Sequence, residues 1–274
     1  MVALFLFVGG LALLAFLIVH FTTRGSHKPP PPPGPVVLRI VFPEGFTRAQ
    51  MAQRITAVDG IAQQKRHVTP RLSARAYLAA TTSSKLPGQF AGDGKARPLE
   101  GFLFPALYDF FPKTTSKQLV QKQLAAFRQN WAKVGLAYAR SKNLTPYDVL
   151  RIASMIEKET ELPADRPRIA AVIYNRLHAN MPLGIDSAIR YGLHITGSRP
   201  LTAADLRSSS PYNTRRFRGL PPTPISNPGV PSMIAAAHPA HADYLYFILK
   251  PDHRHTYFTA SYSDFLAHER AYGF

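Results

Sequence analysis

The amino-acid sequence predicts an α+β protein in which a transmembrane helix precedes the folded body, and three patterns lead to this class. Apolar residues recur at helical spacing in several segments, and the clearest example runs from Thr145 to Leu162. Residues 36–42 alternate between apolar and polar side chains, as a strand does. Near the C-terminus, DYLYFILK and HTYFTAS are joined by PDHR and predict an antiparallel hairpin.

The N-terminal segment predicts attachment to a membrane. Residues 1–21 are an apolar run without Lys, Arg, Asp or Glu, which is long enough to cross the hydrocarbon core as a helix. A cleaved signal peptide is the alternative, but neither a basic n-region nor a small-x-small cleavage site is clear. Residues 22–35 contain KPPPPPGP, which predicts an extended polyproline spacer or, as the alternative, a ligand for a proline-binding domain.

Composition limits the classes of partner and cofactor. Lys and Arg total 33 against 16 for Asp and Glu, so the net charge of +17 predicts an anionic partner such as nucleic acid, anionic lipid or an acidic wall polymer. The absence of cysteine excludes disulfides and thiolate metal sites. His253 and His255 flank a tight turn without a nearby third ligand, so no metal is predicted. No nucleotide-binding, zincin or serine-nucleophile motif is present, and no cofactor is expected.

The first part of the body, residues 36–97, predicts a small αβ subdomain. A strand is followed by a helix with Thr47 as its N-cap and by a second helix near residues 73–80, and residues 81–97 predict a loop. A second domain is predicted over residues 98–274. It begins with the aromatic segment 99–110, which is interpreted as a core strand or, alternatively, as the wall of a binding cleft.

Further helices are predicted along the second domain. They cover residues 116–140, the segment from the N-cap Thr145 to Glu159, the segment after Pro163, and short stretches after residues 186, 230 and 261. Residues 208–229 contain five prolines and few aliphatic side chains, and long irregular segments of this kind are commonly functional or disordered.

Glu159 interrupts an apolar helical face. At about 100° per residue, Ile152, Met155, Ile156 and Leu162 share one arc with Glu159 near its centre. Glu157 is rotated by about 200° from Glu159 and is predicted on the polar arc. A carboxyl among apolar groups has a raised pKa or finds a partner. Glu159 is therefore either a general acid or a structural residue that reaches solvent past the rim of the helix or pairs with a distant Arg.

Ordered motifs together resemble the MltG (YceG-like) endolytic murein transglycosylases over residues from about 36 to the C-terminus. The motifs that carry the resemblance are LEGFLFP (99–105), ASMIEKET (153–160), VIYNRL (172–177), MPLGIDSAIRYG (181–192), SPYN (210–213), GLPPTPISNPG (219–229), AAAHP (235–239) and YLYF (244–247).

This resemblance implies a lyase that cuts nascent peptidoglycan strands internally with Glu159 as the catalytic residue. It implies a lysozyme-like catalytic domain, a periplasmic location behind an inner-membrane anchor, and cell-wall synthases as candidate partners. Glu100, Asp186, Tyr212 and Asn213 are predicted to bind substrate. Relatives commonly carry a LysM-like module, of which residues 36–97 resemble only a remnant.

Three other functions compete with this interpretation. A muramidase would cut the same bond with water, and a non-catalytic wall-binding scaffold would bind peptidoglycan without cutting it. The positive charge also suits a nucleic-acid binder, but an anchor and a spacer suit that role poorly and no nucleic-acid-binding motif is present. We therefore expect glycan strands and the membrane, and not nucleic acid, as partners.

Overall fold

The fold is mixed α+β, as predicted, and helices make up most of its regular secondary structure. The structure, a computed structural model, describes residues 34–82, 84–86, 88–91 and 95–273. The predicted anchor and residues 22–33 of the spacer lie outside these residues. Among the helices in the described ranges, none is long and apolar enough to cross a membrane. The helices are α1 (Arg48–Arg66), α2 (Ala74–Thr82), α3 (Ser116–Trp131), α4 (Ala137–Ser141), α5 (Pro146–Glu159), α6 (Arg166–His178), α7 (Asp186–Gly192), α8 (Ala203–Leu206), α9 (Val230–Ala237) and α10 (Tyr262–Tyr272).

The strands form antiparallel pairs. They are β1 (Leu38–Val41), β2 (Ser84–Lys85), β3 (Ala96–Arg97), β4 (Leu107–Phe110), β5 (Tyr246–Leu249) and β6 (Thr256–Thr259). β1 pairs with β4 so that Leu38 lies opposite Phe110, and β2 pairs with β3. β5 and β6 form the predicted C-terminal hairpin, with Phe247 opposite Phe258. Sequence-distant strands therefore join residues 36–42 to the aromatic segment.

Local hydrogen bonds set the starts of the main helices. Thr47, Thr115 and Thr145 each accept a bond from the backbone N–H three residues later, and the side chain at that later position bonds back to the cap residue. These are capping boxes, which satisfy N–H groups that the first turn leaves without intrahelical partners. The predicted N-caps Thr47 and Thr145 are confirmed.

Two predicted segments are shorter than expected. The helix predicted over residues 116–140 ends at Trp131 and resumes at Ala137, because the chain turns to bury Val134 and Leu136 while Gly135 packs against the His238 ring. In the aromatic segment only residues 107–110 form a strand. The turn ahead of it contains Gly101, whose φ of +87° favours glycine.

The hydrophobic core continues across the predicted domain boundary. Phe90 packs on Phe102, Phe127 and Trp131 with ring centroids 5.0–5.7 Å apart. These rings belong to one buried cluster that also contains Ile40 of β1. The boundary near residue 97 stays a prediction.

α5 lies at the centre of the second half of the chain. It packs on α6 and α9. The proline-rich loop 221–229 runs alongside α5, parallel to it. The Arg151 guanidinium donates to Pro221 O at 2.9 Å, and the Ile225 N–H donates to Ser154 Oγ at 3.0 Å. α5 is therefore held by protein on several sides, and its C-terminal end carries Glu159.

Candidate active site

Glu159 is the last residue of α5, and its side chain is partly exposed. Thr160 adopts an extended conformation and ends the helix. Ser187, in the first turn of α7, donates its hydroxyl proton to Glu159 Oε1 at 2.7 Å. The carboxyl group is thus anchored on one side and remains open enough to meet a ligand.

The surroundings of Glu159 favour its protonated form. Burial has the largest effect and raises the pKa of this carboxyl, and the nearby charge of Asp186 raises it further. The hydrogen bond from Ser187 acts in the opposite direction because it stabilises the carboxylate. The structure therefore gives Glu159 the raised pKa that a general acid requires.

Ser187 is a site residue that the sequence interpretation missed. Within the motif MPLGIDSAIRYG, the sequence singles out only the acidic residue, Asp186. The position of Ser187 in the first turn of a short helix was visible in the sequence. Its partner was not, because the two residues are 28 positions apart and meet only when α7 packs on the end of α5.

We expect Ser187→Ala to move the alkaline limb of the kcat/KM profile to higher pH. The substitution removes a hydrogen bond that lowers the pKa of Glu159, so that pKa rises and the protonated acid persists to higher pH. Rates of the glycan-strand cleavage expected from the sequence, measured across a pH series, test this. An unchanged limb, or one moved to lower pH, would show that Ser187 does not tune the pKa of Glu159.

Asp186 lies beside Glu159 and is held by an arginine. Arg215 donates from Nε to Asp186 Oδ1 at 2.6 Å and from Nη2 to Oδ2 at 3.1 Å. The aspartate side chain is 46% exposed, so it remains accessible to solvent. The structure thus brings together Glu159 and Asp186, and binding of substrate by Asp186 stays a prediction.

Glu100 is buried, with 2% of its surface exposed, and its oxygens face protein donors. It accepts hydrogen bonds from the Arg48 N–H at 3.0 Å, the Asn227 amide at 2.8 Å and the Tyr191 hydroxyl at 3.1 Å. Burial raises the pKa of Glu100 to about 7, while these donors oppose the shift. Contact between Glu100 and substrate stays a prediction. The observed role of the residue is to tie α7 to the start of α1.

One face of α7 links the two glutamates. Ser187 and Tyr191 are four residues apart and therefore lie on the same side of the helix. Ser187 bonds to Glu159, and Tyr191 bonds to Glu100. The position of Ser187 against the Glu159 carboxyl thus depends on a helix that the buried Glu100 anchors.

Tyr212 and Asn213 serve mainly to shape the irregular segment. The Tyr212 hydroxyl pairs with Thr223 Oγ1 at 2.8 Å, and its ring meets Tyr191 edge-on at 5.1 Å. Asn213 is fully buried, and its amide donates to the Leu206 and Ser208 carbonyls at 2.9 Å each. In the structure the Tyr212 hydroxyl and the Asn213 amide both bond to other groups of the protein. Substrate contacts by these two residues stay predictions.

Glu157 does not lie on a polar face, so that prediction is wrong. Its side chain is 6% exposed, and Oε2 accepts a hydrogen bond from the Gly229 N–H at 3.0 Å. Arg166 Nη2 lies 3.9 Å from Oε1. The helical projection assumed one buried side, but the loop 221–229 and α6 cover a second side of α5.

Comparisons with known proteins agree on one family. The model of the YceG-like family matches residues 26–271. The chain is 33% identical over 252 residues to an endolytic murein transglycosylase of Streptococcus pneumoniae (strain ATCC BAA-255 / R6), covering 85% of this chain and 44% of the relative. It is 34% identical over 216 residues to an endolytic murein transglycosylase of Bacillus subtilis (strain 168), covering 77% of this chain and 59% of the relative.

The fold has a matching solved structure. A crystal structure of a YceG-like protein from Listeria monocytogenes superposes with a TM-score of 0.67 at 32% identity, covering 83% of this chain and 74% of the other. The chain spans about half the length of the curated relatives that it matches.

Proposed function

The chain belongs to the YceG-like family, and we propose that it is an endolytic murein transglycosylase, as its curated relatives are named. It cuts the bond between N-acetylmuramic acid and N-acetylglucosamine within a glycan strand and leaves a 1,6-anhydro end. The observation that supports this proposal most directly is Glu159, a partly exposed carboxyl at a helix end whose pKa is raised by burial.

A single carboxyl performs both proton transfers in the proposed reaction. Protonated Glu159 donates its proton to the glycosidic oxygen as the bond to C1 breaks. The resulting carboxylate then accepts the proton of the muramyl C6 hydroxyl, whose oxygen bonds to C1. Atoms balance without water, whereas hydrolytic glycosidases need a second carboxyl as nucleophile or base. A raised pKa suits a group that acts first as an acid and then as a base.

The neighbours of Glu159 suit these two steps. Ser187 donates a hydrogen bond to Glu159 Oε1 and so stabilises the carboxylate form of Glu159. The same bond orients this carboxylate for the second proton transfer. Asp186 places negative charge near the sugar ring on which positive charge develops, and its ion pair with Arg215 fixes its direction. No metal or cofactor takes part in this scheme.

Product masses separate the proposed reaction from its alternatives. We expect the protein to release fragments from purified sacculi whose new ends carry anhydromuramic acid, each lighter by one water than a reducing end. Liquid chromatography with mass spectrometry gives this result directly. Reducing ends would identify a muramidase, and binding without release would identify a wall-binding scaffold.

We further propose that the catalytic part, residues 98–274, acts outside the inner membrane on nascent strands. The apolar run 1–21 anchors the chain as a single span, and residues 22–35 hold the αβ subdomain 36–97 away from the bilayer. The charge of +17 suits the acidic peptides and polymers of a cell wall. Cell-wall synthases are candidate partners in this setting.

A further inference from the structure

A pocket of 660 Å³ lies away from Glu159, between residues 138–144, the first half of α5 and the last turns of α6. Its volume is in the range of pockets that bind small ligands. Half-buried apolar groups form its walls, and they come from Tyr138, Leu144, Leu177 and Leu220. Among the described residues that line this pocket, neither Glu159 nor its hydrogen-bond partner Ser187 is present.

The polar groups of this pocket favour a negatively charged ligand. Of the described lining residues only Asp148 has a carboxyl group, and it is engaged by Arg151 and by the Thr145 N–H. Lys142 is exposed at the rim, with Nζ 5.6 Å from the centroid of the Tyr138 ring, and it makes no ion pair within the described ranges. His178 adds an exposed imidazole to the same rim. A short peptide with carboxylates and small apolar side chains matches this lining.

The distance from Glu159 suits a peptide attached to the strand. Arg151 precedes Glu159 by eight residues on α5, which is about 12 Å along the helix axis at 1.5 Å per residue. An extended peptide covers about 3.3–3.6 Å per residue, so three or four residues span this distance. Murein strands carry short peptides with free carboxylates on their muramyl residues, and the muramyl residue is the one whose bond Glu159 breaks.

We propose that this pocket, the stem pocket, binds the carboxylate-bearing peptide of the strand that is being cut. The proposal rests on the function proposed above and adds a specificity site to it. Lys142 pairs with a peptide carboxylate, and Tyr138 with the neighbouring leucines covers the small apolar side chains. Strands that carry peptides are then preferred over strands that lack them.

The test compares two substrates with one charge-reversed variant of the full chain. Glycan strands are prepared with their peptides or are stripped of them by an amidase. We expect Lys142→Glu to lower kcat/KM on peptide-bearing strands about tenfold, since a charge-assisted bond becomes a repulsion, and to leave cleavage of stripped strands unchanged. His178→Glu should give the same pattern. Lys117→Glu is the matched control, because Lys117 is exposed on α3 and does not line the pocket.

Three results would overturn the stem pocket. Lys142→Glu could lower kcat/KM equally on both substrates, it could lower kcat/KM on neither, or the Lys117→Glu control could show the same loss. If the wild type cuts neither substrate, the proposed function fails. Calorimetry with a free stem peptide then tests the pocket alone: binding that Lys142→Glu weakens supports it, and the absence of binding overturns it.

Discussion

Glu159→Gln is expected to leave the protein folded and to stop the formation of anhydro ends. The amide keeps the size of the carboxyl and can still accept a hydrogen bond from Ser187, but it can neither donate a proton to the glycosidic oxygen nor accept one from the C6 hydroxyl. General acid–base catalysis contributes about 10²–10⁴-fold for one positioned group, and Glu159 acts twice. We expect a loss of about 10³-fold or more, measured as anhydro-muropeptides released from sacculi.

Glu157→Gln is the matched control for this experiment. It makes the same chemical change two residues earlier, where the side chain is buried and accepts a hydrogen bond from Gly229. The amide oxygen can keep that bond, so we expect most of the activity and a modestly lower melting temperature from the lost charge facing Arg166. If Glu157→Gln were inactive and Glu159→Gln active, the assignment of catalysis to Glu159 would be wrong.

Asn227→Ala is expected to cause the largest loss of stability. Asn227 is fully buried, its Oδ1 accepts from the Leu103 N–H at 2.9 Å, and its Nδ2 donates to Phe46 O at 2.9 Å and to Glu100 Oε1 at 2.8 Å. Removing this amide takes the acceptor from the buried Leu103 N–H and one donor from the buried Glu100, while Phe46 O keeps the backbone N–H of residue 227. Each buried group left unsatisfied costs about 1–3 kcal/mol. We expect the free energy of unfolding, measured by urea titration, to fall by about 3–5 kcal/mol.

The stability loss of Asn227→Ala should grow with pH. Burial raises the pKa of Glu100 from 4.5 to about 7 in the folded protein, so ionisation of this group costs stability as pH rises through that interval. Removing the Asn227 donor raises this pKa further, because the carboxylate loses a partner. The difference in the free energy of unfolding between the wild type and Asn227→Ala should therefore be larger at pH 8 than at pH 5.

Asn130→Ala provides the control for the pH dependence. Its amide donates to Ala126 O within α3, outside any buried cluster of ionisable groups. We expect a small loss of stability that is the same at both pH values. A deficit of Asn227→Ala that is also independent of pH would contradict the predicted link to Glu100.

Short-range physical chemistry explains what could be predicted from the sequence. Capping boxes at Thr47 and Thr145 join residues three positions apart, and the C-terminal hairpin joins two strands across a short turn. The apolar periodicity of α5 singled out Glu159 as a carboxyl on an otherwise apolar helical face. In each case the interacting groups are neighbours along the chain, so their spacing alone carries the information.

The tertiary structure decided which groups surround Glu159 and Glu100. Ser187 reaches Glu159 across 28 positions, and Asn227 reaches Glu100 across 127. The burial of Glu157 depends on a loop that packs on a second side of α5, which no single-helix projection can represent. The sequence by itself therefore predicted most of the helices and the C-terminal hairpin, and it singled out Glu159 as the proposed catalytic carboxyl. Only packing between distant segments determined the hydrogen-bond partners and the burial that set the pKa values of the site.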